Sequence, residues 1–225
     1  MNGEIFRFSV RSIVSSLWYG AAMAALVGLA VYAVITKENA DVHVLGIVTL
    51  VTLATGSLLL GPEWDSGILQ LRLTRPIRVA DYVVSRFLGV FAAVASAIVV
   101  PTALQIAAAL LLRRGDAAAL LATIPNRLVE SMMALALLAF FGSFTRSFQN
   151  VLLYVVALAA VRLAEITDVS RASMRAPVDL LRDALFPRLP FEYVDWPQLI
   201  AVASNAAIVL FLAALVASRR EVPYE

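Results

Sequence analysis

The sequence predicts an all-α polytopic membrane protein. Six transmembrane helices are expected, with a short helix between the second and third spans and an amphipathic helix before the sixth. Three observations lead there. Hydrophobic residues make up 61% of the 225, and the mean hydropathy is +0.87. Charged residues make up only 15%, where a soluble domain carries roughly a quarter. Those charges are gathered between long uncharged runs, and a spanning helix needs about 20 mostly apolar residues.

The runs follow one another along a single transmembrane domain, residues 1–225. Ser12–Thr36 is uncharged and too long for the apolar part of a signal peptide, which is usually about 7–15 residues, so it reads as a retained first span (12–36). Trp18 and Tyr19 near its start suit an interfacial belt. His43–Pro62 is the second span (43–62). The third (84–112) holds Phe87–Leu112 with Pro101 inside it. Ser131–Thr145 and Ser147–Val161 are each short for the hydrocarbon core. They become spans (127–145 and 147–166) when Arg127, Glu130, Arg162 and Glu165 are taken into their outer ends. Trp196–Ser218 is the sixth (196–218). Between the fifth and sixth, Pro177–Phe186 reads as an amphipathic helix, with Pro177 at its first position, Val178, Leu181 and Leu185 on one face and Asp179 and Arg182 on another. Pro187 and Pro190 end it, and Phe191, Tyr193 and Trp196 then form an aromatic anchor. Before the first span, Ile5, Phe6, Phe8 and Val10 alternate with Arg7 and Arg11. A surface helix and a frayed basic terminus are both open there.

Composition removes several chemistries. The chain has no Cys, hence no disulfide framework, thiolate metal site or cysteine nucleophile. Its single His, His43, does not make the three-ligand set of a catalytic zinc site, and nothing places a nucleophile beside it. Its single Lys, Lys37, follows Thr36 and so belongs to no Gly-Lys-Ser/Thr phosphate loop. A formal charge of +2, with basic residues scattered among loops, does not point to nucleic acid.

Polar residues inside the runs are the candidates for function. Gln105 follows Pro101 in the third span; an amide there needs a partner or water, so it is a candidate pathway residue or compensation for the Pro. Gly20, Ala24 and Gly28 recur at four-residue spacing and let another helix approach closely, either within the chain or between subunits. Glu130 lies about 15 residues before Thr145, and Arg162 about 12 after Asn150, roughly 22 and 18 Å at 1.5 Å per residue. That similar depth on neighbouring helices makes them a candidate ion pair. Arg127 and Glu165, each three residues away, are local competitors.

The most informative stretch is Gly61–Gly89. Gly61 and Pro62 end the second run, and Glu63 and Asp65 put negative charge where the next short helix has unpaired N–H groups. Ile68, Leu69, Leu71 and Leu73 alternate with Arg72, Arg75 and Arg78 up to and past Pro76. By itself this is an amphipathic connector that anionic lipid would hold. Its spacing resembles the signature of ABC-2-type permeases, the membrane subunits of one class of ATP-driven transporters. Glu63 and Asp65 match that family's paired acids, Gly67 its Gly, Leu69 its Leu, Pro76 its Pro, Arg86 its basic residue and Gly89 its closing Gly. Ile68 stands where the family has Thr, and Arg78 falls one residue before the family's Arg. The motif covers about an eighth of the chain.

The resemblance implies a permease, more usually an exporter, that is not itself an enzyme. It implies that ATP and Mg are bound by separate ABC subunits, which push on Glu63–Pro76 from the cytoplasm. It also implies a second permease copy or a related subunit, a bacterial inner-membrane location and a cytoplasmic N-terminus. The alternative is a polytopic scaffold or assembly factor without transport. With the N-terminus inside, the Lys and Arg residues divide evenly between the two sides, but the basic flanks nearest the clear spans favour that orientation.

The chain's lack of Cys makes this orientation testable by labelling. Cysteines introduced beside Arg72 and Arg219 are expected to react only from the cytoplasmic face, and those beside Lys37 and Arg182 with an impermeant reagent from outside. The reverse pattern would overturn both the orientation and the coupling role.

Overall fold

The computed structural model describes residues 2–36, 41–60, 78–113, 117–145, 148–166, 172–190 and 193–219. All regular structure among them is helical: α1 (Gly3–Val14), α2 (Leu17–Thr36), α3 (Asp41–Gly56), α4 (Val79–Leu112), α5 (Ala117–Gly142), α6 (Gln149–Ile166), α7 (Ala172–Leu185) and α8 (Trp196–Arg219). Four of these, α2, α4, α5 and α8, are long and apolar enough to cross a membrane. The chain is therefore a membrane-spanning helical protein. α3 and α6 are shorter, at 16 and 18 residues.

The first uncharged run is not one helix. α1 is a separate amphipathic helix, which decides between the two readings of the N-terminus. Asn2 caps it, Oδ1 accepting from the Glu4 amide at 3.0 Å. Glu4 in the first turn and Arg11 in the last suit the helix dipole. Ile5, Ser9 and Ile13, four residues apart, are its buried face. Where it ends, Ser15 and Ser16 turn their hydroxyls back onto the Arg11 and Ile13 carbonyls, at 2.7 and 2.5 Å. This local competition for the backbone is characteristic of Ser, and the apolar run conceals it. The first span accordingly begins at Leu17. Trp18 is half exposed, as a belt residue would be. Tyr19 is not: it is buried, its hydroxyl donating to the Ala93 carbonyl at 2.7 Å and lying 2.6 Å from Ser96 Oγ.

α4 and α5 are the centre of the bundle. α1, α2, α3 and α8 pack on α4, and α3, α6, α7 and α8 pack on α5. The 34 residues of α4 run for about 50 Å, well beyond the roughly 30 Å of a hydrocarbon core. The core runs along these two helices through Val90, Ala93, Val94 and Ala97 of α4 and Met133, Leu135, Ala136, Leu138 and Ala139 of α5. Alternating large and small residues let the helices lie close. Apolar side chains also face outward. Leu50, Leu152, Phe211 and Ile200 are each more than 60% exposed, as helices hydrophobic all round are when lipid surrounds them.

Other boundaries also shift. α5 starts at Ala117, ten residues before the expected 127, and takes in Pro125. α7 starts at Ala172, so Pro177 does not open it. Its polar face carries Arg182, which pairs with Asp179 at 3.2 Å and Asp183 at 2.8 Å. After α7 the chain does not stay at the surface. Residues 186–190 dip into the bundle, where Phe186 and Leu189 join the core and Phe186 meets the Tyr154 ring edge-on at 5.6 Å.

Buried amides hold the irregular pieces. Asn150, fully buried at the start of α6, points Nδ2 at the carbonyls of Gly56 (3.1 Å), Leu138 (3.4 Å) and Leu59 (3.5 Å). It thereby joins the ends of α3, α5 and α6. Replacing Asn150 with Ala would remove the one side-chain donor that these three carbonyls share. The expected loss is about 1–2 kcal/mol, read as a lower midpoint in thermal denaturation of the detergent-solubilised chain.

Candidate functional site

The site builds up around Arg86, on the first turns of α4. A guanidinium near hydrocarbon is costly unless its donors are met. Arg86 is 6% exposed. Its Nη1 donates to Ser9 Oγ at 2.9 Å, and Nη2 points at the Leu58 carbonyl at 3.5 Å. Ser9 Oγ in turn donates to the Ile5 carbonyl at 2.8 Å. One residue earlier on α4, Ser85 Oγ accepts from the Asn2 amide at 2.7 Å.

The helices meet here because Gly89 has no side chain. A Cβ on Gly89 would lie 2.5 Å from Ser9 Cβ, closer than real Cβ atoms approach, and a tight 3.0 Å from the Phe6 carbonyl oxygen. Beside this crossing, Ile5, Leu60, Tyr82, Val83, Ala214 and Ala217 form an apolar cluster of their own. The joint thus gathers α1, the turn after α3, the start of α4 and the end of α8. Leu60 is buried in the left-handed region at φ 61°, a conformation uncommon for Leu, and so it turns the chain sharply there.

This joint flanks the segment singled out in the sequence. Glu63, Asp65, Gly67, Leu69 and Pro76 lie outside the described residues. The chain on either side is described: Leu60 is held in the joint, and Arg78 is the exposed residue from which α4 starts, with extended φ and ψ of −66° and 134°. The structure brings Arg86 and Gly89 together at the α1 crossing, and Arg78 lies outside that contact.

The remaining candidates are elsewhere. Gly20, Ala24 and Gly28 lie on an exposed face of α2, and a Cβ on Gly20 or Gly28 would meet nothing within 4 Å. Among the described residues, nothing packs on this strip. Gln105 is buried, one turn beyond Pro101. Glu130 pairs with Arg127 on its own helix and accepts from the Leu189 amide at 2.7 Å. It and Arg162 line the same cleft.

Three residues that the sequence reading passed over carry the geometry. Ser9 lay in the N-terminal stretch, whose helix was left open. Asn150 lay near the start of the expected fifth span and was given no role. Asn126, with no measurable exposure, donates Nδ2 to the Pro190 and Tyr193 carbonyls at 2.6 and 2.9 Å. Its signal was present, an amide directly after Pro125, but it fell outside a span taken to begin at Arg127. Among the described residues no three of His, Cys, Asp and Glu gather as a metal would require. The joint offers fixed helix ends and a buried charge.

No protein-family model matches the chain, and no curated protein matches its sequence.

The close approach at Gly89 makes a paired prediction. Gly89→Val must push α1 from α4 and is expected to cost about 1–3 kcal/mol. Gly20→Val, facing open space, is expected to change the stability of the isolated chain by less than about 0.5 kcal/mol. Thermal melts of the two variants beside the parent check both.

Proposed function

We propose that this chain is the membrane-spanning permease subunit of an ATP-binding-cassette exporter of the ABC-2 type. It works as a pair of permeases with two separate ATP-binding subunits, in a bacterial inner membrane. The observation that carries this reading is the spacing of Glu63, Asp65, Gly67, Leu69, Pro76, Arg86 and Gly89. What supports it structurally is that the flanks of this stretch are anchored rather than loose. Displacement of residues 61–77 by a soluble ATPase would reach α3 through Leu60 and α4 through Arg78. The Arg86–Ser9 contact would carry it to α1. A stiff joint of this kind is useful to a subunit that converts a push into helix movement. ATP and Mg belong to the partner, and the work of this chain is mechanical.

In this reading α3 and α6 also cross, making six spans, with the N-terminus and the Arg86 joint on the cytoplasmic side and α7 on the other. The outward strip of Gly20, Ala24 and Gly28 is a surface on which a second permease helix would pack.

Copurification tests the partnership. The tagged chain is expected to bring down an ATP-binding subunit when the two are expressed together, and a scaffold would not. In the reconstituted complex, Gly67→Val is expected to lower substrate-stimulated ATP hydrolysis by roughly fivefold or more, the size of a modest coupling energy, while the subunit still inserts. Unchanged hydrolysis would remove the coupling role.

A further inference from the structure

α3, α5 and α6 leave a cleft of about 310 Å³ between them, bordered by residues 185–188. Its lining is polar for a place inside a helical bundle. Thr49 and Thr52 of α3, Ser131 of α5 and Tyr154 of α6 line it beside Glu130. Its charges are largely met within the protein. Arg127 pairs with Glu130, whose other carboxylate oxygen accepts from the Leu189 amide. Arg162 has an interaction of its own, and Arg188 is exposed. The cleft therefore does not ask for a counter-ion.

Two of its hydroxyls are not met. Ser131 is 7% exposed and Tyr154 is 9% exposed. Other buried hydroxyls are spent on backbone: Ser9, Thr52 and Thr55 donate to carbonyls four residues back, and Tyr19 donates to Ala93. Among the described residues, neither the Ser131 nor the Tyr154 hydroxyl has a hydrogen-bond partner. Neither oxygen is sealed off, and the space that both residues line is the cleft. A hydroxyl without a partner inside a membrane protein is costly, so a guest in the cleft has to meet them.

The lining describes that guest. A hydroxyl both donates and accepts, and the Glu130 carboxylate keeps lone pairs beyond its two bonds. Hydroxyl groups on the guest answer both, and an anion would be opposed by Glu130. Tyr154 and Phe186, edge-on at 5.6 Å, give the wall an aromatic part. Aromatic faces are partly negative and attract the polarised C–H bonds of a sugar ring. A space of 310 Å³ is at the low end of small-molecule pockets, roughly 300–1,000 Å³.

We propose that this cleft binds a neutral, multiply hydroxylated molecule the size of a single sugar ring. Ser131, Tyr154 and Glu130 bond its hydroxyls, and Arg127 keeps Glu130 in place. The site needs no ATP-binding subunit, so it stands or falls separately from the transport reading.

The full-length chain, in a detergent without a sugar head group, is titrated calorimetrically with glucose, galactose, mannose and myo-inositol, and with sodium phosphate for comparison. At least one of the first four is expected to bind saturably, and phosphate is not. Ser131→Ala and Tyr154→Phe each remove a hydroxyl that has no partner among the described residues. The melting temperature of the unliganded variants is therefore expected to stay level or rise. The half-saturating concentration of the bound compound is expected to rise about tenfold in each. Four outcomes would each overturn the proposal: no binding of any of the four, binding that neither variant weakens, phosphate binding as tightly, or a lower unliganded melting temperature in both variants. The last would mean that the hydroxyls hold structural water rather than a guest.

Discussion

Hydrocarbon accepts and donates no hydrogen bonds, and most of this architecture follows from that constraint. Helices satisfy their own backbone, but every place where a helix stops inside the bundle leaves carbonyls or amides that only protein can meet. Here polar side chains meet them from neighbouring elements. Asn150 serves the ends of α3 and α5. Asn126 serves the chain at Pro190 and Tyr193, and Glu130 serves Leu189. Each of these side chains would be a liability facing lipid. Placed against a broken backbone, each becomes a fixed link between elements far apart in sequence.

The two ends of the bundle use this rule differently. At one end a buried charge, Arg86, ties α1 to α4, and the glycine one turn on lets the helices approach closely enough for that bond to form. Apolar packing by Leu60, Tyr82 and Ala217 then surrounds the crossing. At the other end irregular chain enters the bundle, and the polar groups that receive it leave a charged cleft beside them.

The fold class was legible in the sequence because a bilayer imposes a simple demand. Long uncharged runs are helices there, and α2, α4, α5 and α8 answer to that directly. The elements that were misplaced are those where a local preference competes with hydropathy. The Ser15–Ser16 break is invisible in an apolar run, because Ser is neither charged nor a strong breaker, and its hydroxyls there bond the helix's own backbone. The early start of α5 was hidden by Arg127 and Glu130, which read as an outer boundary. They are tolerated deeper because they pair with each other and because Glu130 accepts from the Leu189 amide, 59 positions away.

By itself, then, the sequence determined that this is a helical membrane protein, where most of its helices run, and that Gly61–Gly89 is its distinctive segment. Composition and spacing are enough for such conclusions, since they depend on how single segments partition between water and lipid. Which polar residue meets which backbone group was decided only by the tertiary structure. Arg86 with Ser9, separated by 77 positions, and Asn126 with Pro190, separated by 64, depend on which helix faces lie together. So does the exposure of Gly20 and Gly28 against the burial of Gly89. Glycines alike in sequence differ in role because a contact between helices belongs to the packing of both, and neither segment carries it alone.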